Sequence, residues 1–398
     1  MTEFKSLDDI DFAGKRVFLR ADLNVPMNNR AITDAARITE AAVALRELLD
    51  GGAAVVLASH LGRPKGKAVP EFSLRPVAAQ LAGELGGAAI EFVDGWGGSR
   101  PEDAAAALQP GEVLLLENLR FEPGEEANDP AFAARLAALA DIYVDDAFSC
   151  AHRAHASIIG VPGLLPAAAG RLMQKELEAL KAALEEPEHP VAAIVGGNKI
   201  STKLGVLENL IAKVDHLLIG GAMAHTFLLA DGIDVGRSLA EPEMVDAARR
   251  IIDAANGNGC RLTLPTDVRV AAELAETADS KAVSVDAIPD RMMALDIGPK
   301  TAAAMNAVIT QCRTVIWNGP LGAFEFPPFD SGTNSVARLV AERTRSGALK
   351  SIAGGGDTMA ALVQARAAAD FSYVSLAGGA FLEWLQGREL PGIAALKT

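Results

Sequence analysis

The sequence predicts an α/β protein built on doubly wound parallel sheets, and three observations carry that expectation. Short apolar runs rich in Val, Ile and Leu alternate along the chain with longer stretches of helical periodicity. The runs are apolar throughout rather than alternating, as expected of parallel strands covered on both faces. Glycine-rich or charged clusters follow many of them, as at the strand ends of an open α/β sheet.

In the first half the strand candidates are residues 17–19, 53–58, 90–93, 113–116 and 142–144. In the second they are 191–195, 216–219, 261–264, 314–317, 351–353 and 373–376. Thr33-Asp34 reads as a helix start, with Ile38, Ala41, Leu45 and Leu48 as its apolar stripe and Gly51 at its end. Residues 171–186 read as an amphipathic helix, with Met173, Leu177, Leu180 and Leu184 on one face and Pro187 and Pro190 stopping it. The strand pattern restarts directly afterwards, so this helix reads as the connection between two α/β halves.

The chain has 398 residues, enough for two or three domains. Its 37 Lys and Arg stand against 51 Asp and Glu, a net charge of −14, and 5% of residues are aromatic. Both figures argue against nucleic acid, which is bound through clustered cations and stacking platforms. No apolar stretch is long enough to span a bilayer, and the first nine residues lack the apolar core of a signal peptide. Cys150, Cys260 and Cys312 are too few and odd in number for a disulfide framework, so a soluble cytoplasmic protein is expected. Taken alone, −14 also speaks against anionic ligands, yet local placement points the other way.

Five strand candidates of the second half end alike: in Gly196-Gly197-Asn198-Lys199, Gly220-Gly221-Ala222-Met223, Asn318-Gly319-Pro320, Gly354-Gly355-Gly356-Asp357-Thr358 and Ala377-Gly378-Gly379-Ala380. Free N–H groups at helix starts favour phosphate, and glycine lets the ligand approach the backbone. Neither a P-loop nor a dinucleotide fingerprint is present. Lys199 and Lys203 follow the first turn at i, i+4 and would share a helix face, where phosphate binding explains them better than a solvated surface. Asp357 is a lone carboxylate at such a turn, suited to cap the helix or to hold Mg²⁺ with nucleotide oxygens.

First-half strands end in charge instead. Asp22, Asn24, His60, Arg63, Arg120 and Arg153 follow four of them and would converge on one crevice, a basket for a small, multiply anionic metabolite. Arg37 falls in the first turn of its helix, where the dipole disfavours a cation, so a broken local rule hints at function. Asp145-Asp146 reads as a hydrogen-bonding strand end rather than a metal pair. Cys150, His152 and His155 lack zinc spacing and read as structural or anion-binding.

The segments VFLRADLNVP, SHLGRPKG, LENLRF, DAF…AHRAH, GGNKISTK, WNGPLGAFE, GGGDT and AGGA occur in that order over nearly the whole chain and resemble the phosphoglycerate kinase family. The resemblance implies two Rossmann-like domains facing a cleft. They would span residues 1–170 with a C-terminal return at 380–398, and 188–379, joined by an interdomain helix at 171–187 that acts as a hinge. It implies phosphoryl transfer between 1,3-bisphosphoglycerate and MgADP, giving 3-phosphoglycerate and MgATP, by a monomer without nucleic-acid or membrane partners. It assigns the phosphoglycerate to Asp22, Leu23, Asn24, Arg37, His60, Leu61, Gly62, Arg63, Arg120 and Arg153. The nucleotide falls to Lys203, Glu325 on the ribose, Gly354, Gly355, Gly356, Thr358, and Asp357 on Mg²⁺. Arg37, Lys199, Lys203, Gly378 and Gly379 are the catalytic set, with Arg37, Lys199 and the helix start at Gly378 and Gly379 surrounding the moving phosphoryl group.

Three positions depart from the family pattern: Leu376 where Thr is usual, His225 where Asn is usual, and Asn198 in place of a small residue. Altered affinity rather than lost activity is expected. The rival readings are a dinucleotide-dependent oxidoreductase on an α/β scaffold, which lacks its fingerprint, and a non-catalytic binding protein, which would be expected to lack Arg37 or the lysines.

Overall fold

In the computed structural model, which describes residues 4–397, the continuous apolar runs form two six-stranded parallel sheets. Residues 1–3 of the N-terminal segment and Thr398 of the C-terminal return lie outside the described residues. The chain divides into two units, Met1–Leu177 with Glu389–Thr398, and Glu178–Arg388. Against expected joins at 170, 187 and 379, the chain thus changes unit after 177 and after 388. The helix Gly378–Leu385 belongs to the second unit, where Asn209 Nδ2 donates to the Leu385 carbonyl at 2.8 Å.

The first unit contains β1 (Arg16–Ala21), a small hairpin of β2 (Met27–Asn28) and β3 (Ala31–Ile32), β4 (Ala54–Ala58), β5 (Ile90–Val93), β6 (Val113–Leu116), β7 (Ile142–Asp146) and β8 (Ala167–Ala169). Its sheet runs β5-β6-β4-β1-β7-β8. Val17, Leu19, Val55, Leu57, Leu115 and Val144 are buried there with Ile38, Ala41, Leu45 and Leu48 from α1 (Ala36–Asp50). β1 and β7 outrun the apolar pattern because the ladder continues through Arg20 opposite Asp145 and Ala21 opposite Asp146. β8 carries only alanines, so it gives no β-branched signal, and pairing with β7 decides its conformation.

The second unit contains β9 (Val191–Val195), β10 (His216–Ile219), β11 (Arg261–Thr263), β12 (Asp267–Ala271), β13 (Ser280–Ser284), β14 (Met293–Ile297), β15 (Thr314–Asn318), β16 (Lys350–Gly354) and β17 (Tyr373–Ser375). Its main sheet runs β11-β10-β9-β15-β16-β17, so counting its strands in chain order gives 3-2-1-4-5-6. The order reverses at β9, next to β15, where open α/β sheets leave a crevice. β12, β13 and β14 form an additional antiparallel sheet absent from the sequence expectation. Its strands interleave Arg269, Lys281 and Asp296 with apolar residues, so no continuous apolar run marks them.

The helix expected over 171–186 forms as Arg171–Leu180 and continues into a wider turn, Lys181–Glu185, before Pro187. Asp146 Oδ1 caps its start, accepting from Leu172 N at 2.7 Å and Met173 N at 3.2 Å.

Candidate functional site

At the carboxyl edge of the first sheet, polar side chains are linked rather than merely adjacent. Asp22 Oδ2 accepts from Arg37 Nη1 and from Ser149 Oγ, and Asp22 Oδ1 accepts from Asn24 N at 3.0 Å. Asn24 Oδ1 accepts from Gly62 N at 2.9 Å, and the Gly62 carbonyl accepts from Arg120 Nη1 at 2.9 Å. The chain Arg37–Asp22–Asn24–Gly62–Arg120 therefore joins three of the four predicted strand ends. α1 begins at Ala36, two residues after Asp34, whose carboxylate accepts from Ala36 N at 2.9 Å. Arg37 lies in the first turn as predicted, with no acid in that turn; Asp22 from β1's end supplies the counter-charge.

Leu23 and Leu61 are buried, so only their backbones can serve a ligand. Arg63 and Arg153 are exposed and form no ion pair with another described residue. Arg120 Nε lies 3.5 Å from Glu126 but makes no hydrogen bond, leaving a buried donor unused.

Arg20 was not among the residues predicted for the crevice. It is fully buried, and donates from Nε to Ser157 Oγ at 2.9 Å and from Nη1 to the Ala21 carbonyl at 2.6 Å. Its Nη2 lies 3.3 Å from His60 Nδ1. A guanidinium only donates, so Nδ1 accepts and the proton of a neutral His60 sits on Nε2. Burial, reinforced by Arg20, holds the His60 pKa well below its usual value, so the ring is neutral. The charge of Arg20 is answered by Glu125, to which Ser157 donates from Oγ at 2.6 Å and from N at 3.0 Å. An arginine directly after Val17-Phe18-Leu19 was the available signal for a buried cation.

Asp145 and Asp146 are hydrogen-bonding strand ends; Asp145 Oδ1 accepts from Ala147 N at 2.9 Å. Burial pushes their pKa values up to about 7 and about 6. Burial likewise raises the Cys150 thiol, which disfavours the thiolate that a nucleophile requires.

In the second unit the five glycine turns follow β9, β10, β15, β16 and β17, neighbours at one carboxyl edge. Two of them interlock at the switch point: Gly196 N donates to the Asn318 carbonyl and Gly197 N to the Pro320 carbonyl, each at 3.0 Å. A Cβ on Gly196 would lie 2.0 Å from Pro320 O, and one on Gly319 would lie 2.2 Å from Gly196 O. Neither position accepts a side chain.

Lys199 and Lys203 do not share a helix face. Lys199 lies in irregular chain, residues 201–203 form a turn, and the helix Leu204–Ile211 starts with Lys203 as its N-cap. The segment is tied elsewhere: Ser201 donates from N at 3.0 Å and from Oγ at 2.6 Å to Glu241. Lys199 is exposed. Lys203 is largely buried and donates to Asn318 Oδ1; burial lowers its pKa to about 8 against the attraction of Asp357.

Asp357 is not the helix cap. Gly355, at φ +106°, takes that position before the helix Gly356–Gln364, and Asp357 lies exposed in its first turn. Thr358 Oγ1 ties the turns together, donating to the Gly354 carbonyl at 2.9 Å and accepting from Gly319 N at 2.8 Å. Gly378 and Gly379 open the helix Gly378–Leu385, and Glu325 is exposed on the loop after β15. Beside these turns lies a cavity of about 390 Å³, walled by Gly221, Ala222, His225, Leu239, Leu295 and Gly322 among others. Sequence reading missed it, because much of its wall comes from β14, from Arg237 and Leu239 after the helix Met223–Ala230, and from Pro265 and Val268 after β11.

The family model for phosphoglycerate kinase matches residues 7–388. The chain is 56% identical over 393 residues to a phosphoglycerate kinase of Cereibacter sphaeroides, covering 99% of each chain. It is 54% identical over 399 residues to one of Methylorubrum extorquens, covering each in full. Among solved structures it is similar to phosphoglycerate kinase from Coxiella burnetii, with a TM-score of 0.92, 44% identity and 99% of each chain covered. It is also similar to the enzyme from Pyrococcus horikoshii OT3, with a TM-score of 0.81, 30% identity and 98% of each covered. Nothing in these comparisons supports the oxidoreductase alternative.

Proposed function

The chain belongs to the phosphoglycerate kinase family, and on that premise we propose how its residues divide the reaction. The activity is reversible phosphoryl transfer between 1,3-bisphosphoglycerate and ADP, giving 3-phosphoglycerate and ATP. The division rests on the contrast between the two carboxyl edges: charged side chains end the first sheet's strands, and five glycine turns end the second's.

3-Phosphoglycerate carries a phosphate and a carboxylate. Arg63, Arg120 and Arg153 provide forked donors for them, with Asn24 and His60 Nε2–H as neutral donors. Asp22 positions Arg37. Leu23, Leu61 and Gly62 contribute backbone. Lys203 meets the nucleotide phosphates, the Gly354-Gly355-Gly356 turn offers its amides, Thr358 holds that turn in shape, and Glu325 takes the ribose. The cavity beside the turns takes the base, since its wall is mostly apolar and a small number of polar groups can orient a ring there.

Asp357 is exposed and in no ion pair with a described residue, and no cluster of three His, Cys, Asp or Glu among the described residues could cage a metal. A single carboxylate fits Mg²⁺, which keeps several waters and takes its remaining ligands from substrate phosphates. Bound there, Mg²⁺ supplies charge neutralisation of the phosphate oxygens.

Transfer needs positioning and charge stabilisation more than covalent chemistry, and the acceptor carboxylate is already ionised, so no general base is required. Arg37, Lys199 and the amides of Gly378 and Gly379 neutralise the transferring phosphoryl group. The segment 171–186 acts as the hinge: its start is capped by Asp146, and its regular helix gives way at Lys181–Glu185. The cysteine usage supports a cytoplasmic setting and the family resemblance a monomer. No helix among the described residues is long and apolar enough to cross a membrane.

A coupled assay with 3-phosphoglycerate, ATP and Mg²⁺ tests the activity, and its absence would overturn it. Arg63→Ala is expected to raise KM for 3-phosphoglycerate and Glu325→Ala that for ATP; the reverse pattern would refute the division.

A further inference from the structure

We propose that His225 reads the nucleotide base, its Nε2 lone pair favouring a purine with an amino group at C6 over a 6-oxo purine. This rests on assigning the second unit's cavity to the base. His225 lies on the helix Met223–Ala230, directly after the Gly220-Gly221 turn, is 5% exposed and lines the cavity. Its Nδ1 is 2.8 Å from the Leu239 carbonyl. A carbonyl only accepts, so Nδ1 carries the proton and Nε2 is left as an acceptor. Burial lowers the pKa of the ring, which keeps it neutral and the lone pair free near pH 7.

Nε2 has no hydrogen-bond partner among the described residues, yet it is not sealed off from solvent. The cavity is where such an atom meets a ligand. The neighbouring carboxylate has most of its acceptor sites committed to the chain. Asp296 already accepts from Gly332 N at 2.7 Å, Ile297 N at 2.9 Å and Ser331 Oγ at 3.2 Å. Arg237, also in the wall, only donates. Around them the wall is Leu239, Met293, Leu295, Pro320 and Leu321. In so apolar a site an exocyclic N–H answers the lone pair of Nε2, whereas a C6 carbonyl sets two lone pairs against each other with little water to separate them.

The test is steady-state kinetics of the full chain with ATP and with ITP, whose base carries oxygen at C6 and no amino group. The native chain is expected to show a KM for ITP on the order of tenfold above that for ATP. His225→Leu removes the acceptor and is expected to shrink that ratio to about twofold or less. His225→Asn, whose amide can turn either its oxygen or its NH₂ to the base, is expected to lower the KM for ITP specifically, and it decides the matter if the leucine variant does not fold. Ala222→Phe, which fills the cavity, should raise KM for both nucleotides while leaving KM for 3-phosphoglycerate in place. A native chain indifferent to the C6 group, or a ratio unchanged in both His225 variants, would overturn the proposal. If Ala222→Phe still raises both nucleotide KM values, the base site stands without His225 as its reader. If it raises neither, the base site itself falls.

Discussion

Lys203→Met should stabilise the ligand-free chain while removing its activity. Burial lowers the Lys203 pKa from 10.5 to about 8, so the folded state holds an ammonium at neutral pH against its own preference. That gap corresponds to about 3 kcal/mol of penalty on folding. The hydrogen bond to Asn318 Oδ1 is lost in the variant and returns about 1 kcal/mol, leaving a net gain of about 2 kcal/mol. The sign with pH is definite. Because the folded pKa is depressed, the penalty is complete below about 8, shrinks as pH rises towards 10.5 and vanishes above it. The advantage of methionine must therefore shrink over that interval. Urea unfolding at pH 7, 9 and 10.5, followed through tryptophan fluorescence in a Trp96→Phe background so that Trp317 and Trp384 of the second unit report, reads it. A variant less stable than the native chain at pH 7, or an advantage that does not change with pH, would refute the reasoning. The price in stability is intelligible if an anionic phosphate repays the ammonium on binding, so ADP affinity should also weaken above pH 8 in the native chain but not in the variant.

Three further outcomes follow from the contacts described. Arg37→Glu places a second carboxylate against Asp22 and should cut turnover by on the order of a thousandfold with an unchanged circular dichroism spectrum; an active variant would remove Arg37 from the reaction. Ser157→Ala leaves Arg20 and Glu125 each short of a buried hydrogen bond and should cost about 2 to 4 kcal/mol in denaturant unfolding; a loss below 1 kcal/mol would mean that water replaces the hydroxyl. Gly196→Ala, with its Cβ 2.0 Å from Pro320 O, should disturb the switch-point turns and abolish nucleotide binding in titration calorimetry, whereas intact binding would show that the two turns can separate freely.

Much of the fold was legible because a strand buried on both faces must be apolar along its length. Residues 90–93, 113–116, 191–195 and 216–219 match their strands to the residue. The same rule failed where apolarity was not what stabilised the element. β8 is three alanines held by β7 on one side and by a bridge to Ser6 on the other, and β12, β13 and β14 mix charge into an antiparallel sheet with its own small cluster around Val268 and Val270. Among the candidate site residues, the glycine turns and the arginines stood out in sequence because few other roles require those residue types at a strand end. Lys199 and Lys203 misled because their spacing fits a helix, whereas Glu241, forty residues away from Ser201, pulls the segment into a turn.

By itself, the sequence determined the class of sheet, the separation of charged from glycine-rich strand ends, and the family motifs, since each is written in consecutive residues. The tertiary structure decided which charges answer one another: Asp22 with Arg37, Glu125 with Arg20 through Ser157, and Arg20 with His60. It also decided which nitrogen of His60 and of His225 carries the proton. These are properties of partners distant in the chain. Burial and a fixed neighbour set a side chain's protonation and its direction, and neither is encoded at the residue's own position.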